Sequence, residues 1–277
     1  NESCFWSNTP DIDFYMDEQP WVLGQFVWTG FDYLGEPSPY DTDAWPSHSS
    51  VFGIIDLASL PKDRYYLYRS QWNKDDATLH VLPHWNWKGR EGEVTPVFVY
   101  TSYPKAELFI NGKSRGVREK NDSTLQTRYR LMWNETRYEP GELKVVAYDK
   151  DGNRAAEKIV KTAGKPHHLV VTSNTDKLAA NGDDLAYLTV QVADKDGNIV
   201  PTDSRRVKFN VTGAGSFEAT ANGDPTCILP FQNAEMDLFS GAATAIVRSG
   251  AQPGDIKFTV SAKGVKPATY TIKVVNE

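Results

Sequence analysis

Two patterns of apolar residues divide the chain. From Asp76 onward, short runs alternate apolar and polar residues at a period of two, the pattern of strands that bury one face. This predicts strands over 78–81, 94–101, 106–110, 128–133, 142–148 and 155–161, then, beyond Gly164-Lys165-Pro166, over 168–172, 184–193, 206–212, 241–248, 255–262 and 269–275. Before Asp76 the pattern differs. Gln25-Phe26-Val27-Trp28 is a short run of strand-favouring residues that breaks at Gly30 into a loop carrying Asp32, Glu36, Pro37 and Pro39. Phe52 to Asp56 is apolar again, and Pro61 followed by KDRYYLYRSQW predicts a helix with proline in its first turn. Tyr65, Leu67, Tyr68 and Trp72 give that helix one apolar face. A shorter helix is predicted to start at Pro10-Asp11.

Turn chemistry supports the strand assignments. Asn111-Gly112 is the strongest hairpin signal, because a type I′ turn needs positive φ at both central positions. VVAYDKDGN (145–153) recurs as VQVADKDGN (190–198), so two strand-plus-turn units echo each other. Clustered carboxylates invite a calcium reading, but glycine comes fourth in DKDGN rather than sixth. The twelfth positions, Val160 and Arg205, offer no carboxylate. These are turns, and no metal site is expected. The fold class expected is mainly β: two β-sandwiches, at 76–163 and 164–277, preceded by a mixed βα region at 1–75.

Composition narrows the function. The chain of 277 residues has a net charge of −6, with both signs scattered, so no basic stripe is available for nucleic acid. No apolar run is long enough to span a membrane, and Asn1 is not followed by a signal-peptide pattern. Two cysteines, Cys4 and Cys227, make no disulfide framework and read as free thiols. Aromatics stand out: eight Trp and thirteen Tyr. Rings of this kind fill cores, and they also stack on the C–H faces of sugars.

Trp21 to Tyr40, containing QFVWTGFDYLGEPSPY, and Phe52 to Trp72, FGIIDLASLPKDRYYLYRSQW, resemble the end of the catalytic barrel of glycoside hydrolase family 2, as found in Bacteroides-type β-galactosidases. The two sandwich halves resemble the immunoglobulin-like domains that follow the barrel in that family, and NGDPT (222–226) and FSGAATAIVRS (239–249) are similar to its C-terminal module. The resemblance implies that 1–75 holds the eighth strand and helix of a (β/α)8 barrel, with the remaining barrel upstream of Asn1. It implies a retaining hydrolase of β-linked galactosides, exported to the periplasm or secreted, taking an oligosaccharide substrate and no cofactor. The family's acid/base and nucleophile glutamates lie on earlier strands. Asn1-Glu2 mimics the acid/base signature but sits too near Trp28 to be that strand, so no catalytic residue is expected here and the chain alone is expected to be inactive.

Three residues are candidates for substrate contact. Trp28 matches the family's eighth-strand tryptophan beneath the sugar; as bland a reading is interior packing. Asp32 and Glu36 tempt as the paired carboxyls of a glycosidase, which stand about 5–5.5 Å apart for retention. They read instead as residues that shape the loop and touch substrate hydroxyls. Trp45, Trp85, Trp87 and Trp133 offer a further platform on a sandwich or, more simply, packing between the 1–75 region and the first sandwich. The rival reading of the whole chain is a carbohydrate-binding or structural immunoglobulin-like module without catalysis.

Overall fold

The computed structural model describes residues 9–37 and 46–276, so Glu2, Cys4 and Trp45 lie outside the described residues. The chain divides into two compact units: Asn1–Asp32 with Phe52–Ile55 and Pro61–Thr162, and Tyr33–Val51 with Asp56–Leu60 and Ala163–Glu277. Each is organised around a β-sandwich.

In the first unit, helix α1 (Pro10–Asp17) starts with proline at its first turn, where the missing N–H has no intrahelical partner to lose. Helix α2 (Asp63–Trp72) follows Lys62 as N-cap and buries Arg64, Leu67, Tyr68 and Ser70. Its face differs from the expected one. Trp72 is exposed, and Arg64 takes an inward position. Phe14 packs edge-on against Tyr68 and Tyr129, so an aromatic cluster gathers the two helices.

Strands β1 (Leu79–Leu82), β2 (Val97–Thr101), β3 (Lys105–Ile110) and β4 (Lys113–Glu119) come next, then helix α3 (Leu125–Tyr129). Strands β5 (Leu131–Trp133), β6 (Glu142–Tyr148) and β7 (Arg154–Lys161) complete the unit. One sheet runs β1-β2-β5 and the other β4-β3-β6-β7. Ala106, Leu108 and Ile110 on β3 alternate inward and share one core with Val97 and Val99 of β2. The β3–β4 hairpin turns at Asn111 (φ 49°) and Gly112 (φ 75°), the left-handed pair that a type I′ turn requires. Helix α3 replaces the first residues of the strand expected over 128–133. Its signal is Thr124, whose hydroxyl accepts the N–H of Thr127 while the Thr127 side chain returns the bond.

The second sandwich is formed by β8 (His168–Ser173), β9 (Lys177–Ala179), β10 (Leu185–Ala193), β11 (Arg206–Gly213) and β12 (Gly215–Ala221). They are joined by β13 (Glu235–Asp237), β14 (Ala242–Ser249), β15 (Gly254–Ala262) and β16 (Ala268–Val275). The sheets run β12-β14-β10-β8 and β13-β11-β15-β16-β9, antiparallel except where β9 joins β16. Ala186, Leu188, Val190 and Val192 of β10 face Phe258 and Val260 of β15 in a single core. The periodicity missed β9, β12 and β13. Two of these have only three residues, too few to establish a period.

Both DKDGN segments are turns closed by their first aspartate. Asp149 Oδ1 accepts the N–H groups of Asp151 (3.0 Å) and Asn153 (2.8 Å), and Asp194 Oδ1 does the same for Asp196 and Asn198, each at 2.9 Å. Among the described residues no group of His, Cys, Asp and Glu could hold a metal ion, and no helix is long and apolar enough to cross a membrane. Cys227 is a free thiol.

Candidate functional site

Gln25 to Trp28 form no strand, contrary to the sequence pattern. A strand needs a ladder, and the ladder to Phe52–Ile55 runs along Thr29 to Asp32. Ile54 donates to the Thr29 carbonyl (3.0 Å), Ile55 to Gly30 (2.9 Å), and Asp32 to Ile55 (2.9 Å), with a parallel bridge between Phe31 and Ile55. The peptide bond between Trp28 and Thr29 is cis. Trp28 itself is 55% exposed, so it is not an interior packing residue of this unit.

Asp32 is buried. Its Oδ1 accepts the Gly53 N–H at 2.8 Å, and its Oδ2 pairs with Lys62 Nζ at 2.6 Å. Burial pushes the Asp32 carboxyl up; the Lys62 ammonium and the Gly53 N–H oppose that rise without cancelling it. Gly53 is required for space, because a Cβ there would lie 2.2 Å from the Asp32 nitrogen. Asp32 therefore joins three segments: its own loop, Phe52–Ile55 and the start of α2. Lys62 and Gly53 were not singled out in the sequence. Their signal was faint: a lysine after Pro61, which stands before the helix rather than in its first turn as expected, and a glycine in an apolar run.

Glu36 belongs to the second unit, on a small hairpin. Leu34 bridges Ser49, Gly35 donates to the His48 carbonyl (3.3 Å), and Ser50 donates to Tyr33 (2.9 Å). The Tyr33 hydroxyl donates to the Glu36 carboxylate. The Glu36 side chain is exposed, an acceptor suited to hydroxyl groups.

The other tryptophans divide clearly. Trp85 and Trp133 are fully buried in the first sandwich, with the Trp85 indole donating to the Glu139 carbonyl at 2.8 Å. Trp87 packs partly against the same core and stacks on His84. These rings are structural.

Comparison with known proteins places this geometry. Residues 169–271 match the model described as glycoside hydrolase family 2 C-terminal domain 5, and 92–156 match a domain of unknown function, DUF4982. The chain is 39% identical over 98% of its length to the beta-galactosidase BoGH2A of Bacteroides ovatus. The chain is C-terminal sequence of glycoside hydrolase family 2. It spans 31% of that relative. A β-glycosidase from Bacteroides vulgatus superposes with a TM-score of 0.86 at 32% identity, over 96% of this chain and 33% of that one. A family 2 member from Bacteroides cellulosilyticus gives 0.82 at 28% identity, over 94% of this chain and 37% of that one. A beta-glucuronidase of Formosa agariphila is 25% identical over 88% of this chain and 24% of its own length. Family 2 relatives of this chain thus include enzymes of both sugar specificities.

Proposed function

We propose that this chain is the C-terminal part of an exported, retaining hydrolase of β-linked galactosides. In this reading, residues 1–75 close a (β/α)8 barrel, and the sandwiches at 76–163 and 164–277 brace it. Similarity to the Bacteroides ovatus beta-galactosidase over nearly the whole chain carries the reading. The Trp28 ring, 55% exposed in this chain, is consistent with it, since a flat apolar ring is what a sugar's C–H face packs upon. Glu36 supplies an acceptor for substrate hydroxyls, and Asp32 holds its own loop to Phe52–Ile55 and the start of α2.

The catalytic carboxyls belong to earlier barrel strands in this reading, so proton transfer and nucleophilic attack are absent from the chain by itself. The test is release of a chromogenic aglycone from aryl β-galactoside and aryl β-glucuronide, by this chain and by the full-length enzyme. The expected result is no release by the chain and β-galactoside turnover by the full enzyme. Turnover of the glucuronide alone would overturn the sugar assignment. Robust turnover by the chain, lost on Glu36→Gln, would overturn the division of labour.

A further inference from the structure

Helix α1 carries little that would hold it as a helix by itself. It has eight residues, whereas an isolated helix needs about 12–15 to persist in water. Among the described residues no side chain caps its N-terminus, and its last turn has no basic residue. Glu18, which ends it, puts a negative charge beside carbonyls that favour a positive one. The order of α1 therefore comes from the surface it packs against.

That surface is the segment 128–130, at the end of α3 and just before β5. Asp11, Phe14 and Glu18 stand at i, i+3 and i+7, so they share one face of the helix. They meet Arg130, Tyr129 and Arg128, in reverse order along the chain. The buried Arg130 guanidinium donates to the buried Asp11 carboxylate. The rings of Phe14 and Tyr129 meet edge-on at 5.2 Å. Arg128 donates to the Glu18 carboxylate, and so does the Tyr129 hydroxyl, at 2.9 Å. Arg128 thus supplies the cation that the last turn of α1 lacks. Asp11 Oδ1 is buried without a hydrogen-bond partner among the described residues, so the Asp11–Arg130 pair is a poor source of net stability. Helix α2 reaches the same segment, where Gln71 donates to the Tyr129 carbonyl at 3.3 Å. Arg128, Tyr129 and Arg130 all lie within 92–156, the match to the domain of unknown function.

We propose that the domain at 92–156 is a helix-docking domain: α3 with Arg130 is its receptor, α1 is its ligand, and the buried Asp11–Arg130 pair fixes the register between them. Docking of α1 is independent of which sugar the full-length enzyme takes.

The test follows amide exchange over 11–18, and in β3 and β6, in the 277-residue chain. At the exposed contact, Arg128→Glu or Glu18→Arg alone is expected to quicken exchange over 11–18 about fivefold, and the two together to restore it. At the buried contact, Arg130→Met leaves the Asp11 carboxylate without its cation and is expected to quicken the same amides about 100-fold. Asp11→Leu combined with Arg130→Met, an apolar pair, is expected to recover protection to within about tenfold. Strands β3 and β6 are expected to keep their protection in every variant. Unchanged exchange over 11–18 in both Arg128→Glu and Arg130→Met would overturn the docking role. Equal quickening in β3 and β6 would also overturn it, by making 128–130 part of the sandwich core rather than a receptor. Failure of both double variants to recover would overturn the pairing of the two faces.

Discussion

Asp32 separates a structural role from a substrate role by experiment. Asp32→Ala removes the acceptor of the Gly53 N–H and the partner of Lys62 together. Leaving a buried donor unsatisfied costs about 1–3 kcal/mol. Removing one partner of a buried ion pair costs about 3–5 kcal/mol. That upper range does not apply in full, because the Lys62 side chain is 31% exposed and water reaches it once the carboxylate is gone. A loss of about 2–4 kcal/mol follows for the first unit. Asp32→Asn is a different perturbation. The amide oxygen still accepts from Gly53, and the charge whose burial raises the Asp32 carboxyl is no longer there. A carboxyl raised on folding contributes stability at low pH that is lost as pH rises through its folded value. The amide escapes that loss, and about 1 kcal/mol or less is expected. At about 4 °C per kcal/mol for a unit of this size, Asp32→Ala melts near 8–16 °C lower and Asp32→Asn within about 4 °C. Tryptophan fluorescence reads the transition, since Trp85 and Trp133 lie in the core of the same unit. Equal melting of wild type and Asp32→Ala, with loss of activity in both variants of the full enzyme, would refute the structural role and restore Asp32 to the substrate.

Trp28→Ala is expected to shift the chain's melting by less than about 2 °C, because the ring is exposed, while kcat/KM of the full enzyme falls about 10- to 1000-fold; a strongly destabilised variant of normal specific activity would refute the platform. Trp85→Ala empties a buried site in the first sandwich and is expected to cost about 3–5 kcal/mol, read by denaturant unfolding. Burial pushes the Asp194 carboxyl up, yet hydrogen bonds from Gly164, Asn198 and Asp196 outweigh it and hold it well below the usual carboxylate range. Its contribution to the second sandwich is therefore present above about pH 4 and lost as pH falls further, and an acid titration of Asp194→Ala is expected to lack that part of the transition.

The sandwiches were largely legible in advance. Strand β6 begins and ends where the alternation of apolar residues places it, at Glu142 and Tyr148, and β10, β11, β14, β15 and β16 differ by a residue at their ends. The cause is local: a half-buried strand writes its period of two into the chain, and Asn111-Gly112 writes its turn. Helix α3 was not legible, because a five-residue helix is defined by its cap and leaves no repeat. The aromatics show the same division. Trp28 and Trp85 are the same residue type in similarly aromatic stretches, and only the structure shows that Trp85 is fully buried while Trp28 is half-exposed in this chain.

The sequence by itself determined the mainly β class, most strand positions, the family resemblance and the three residues worth testing. The tertiary structure decided where those residues sit and what Asp32 touches. Asp32 is occupied by Gly53 and Lys62, partners brought to it by a parallel bridge and the entry to a helix. Glu36 sits on a hairpin that shares its compact unit with Ala163–Glu277. Periodicity reports which face of an element is buried, but not which distant backbone groups will meet. Those pairings arise only when the chain closes on itself, because carbonyl and amide groups carry no residue-specific pattern to announce them.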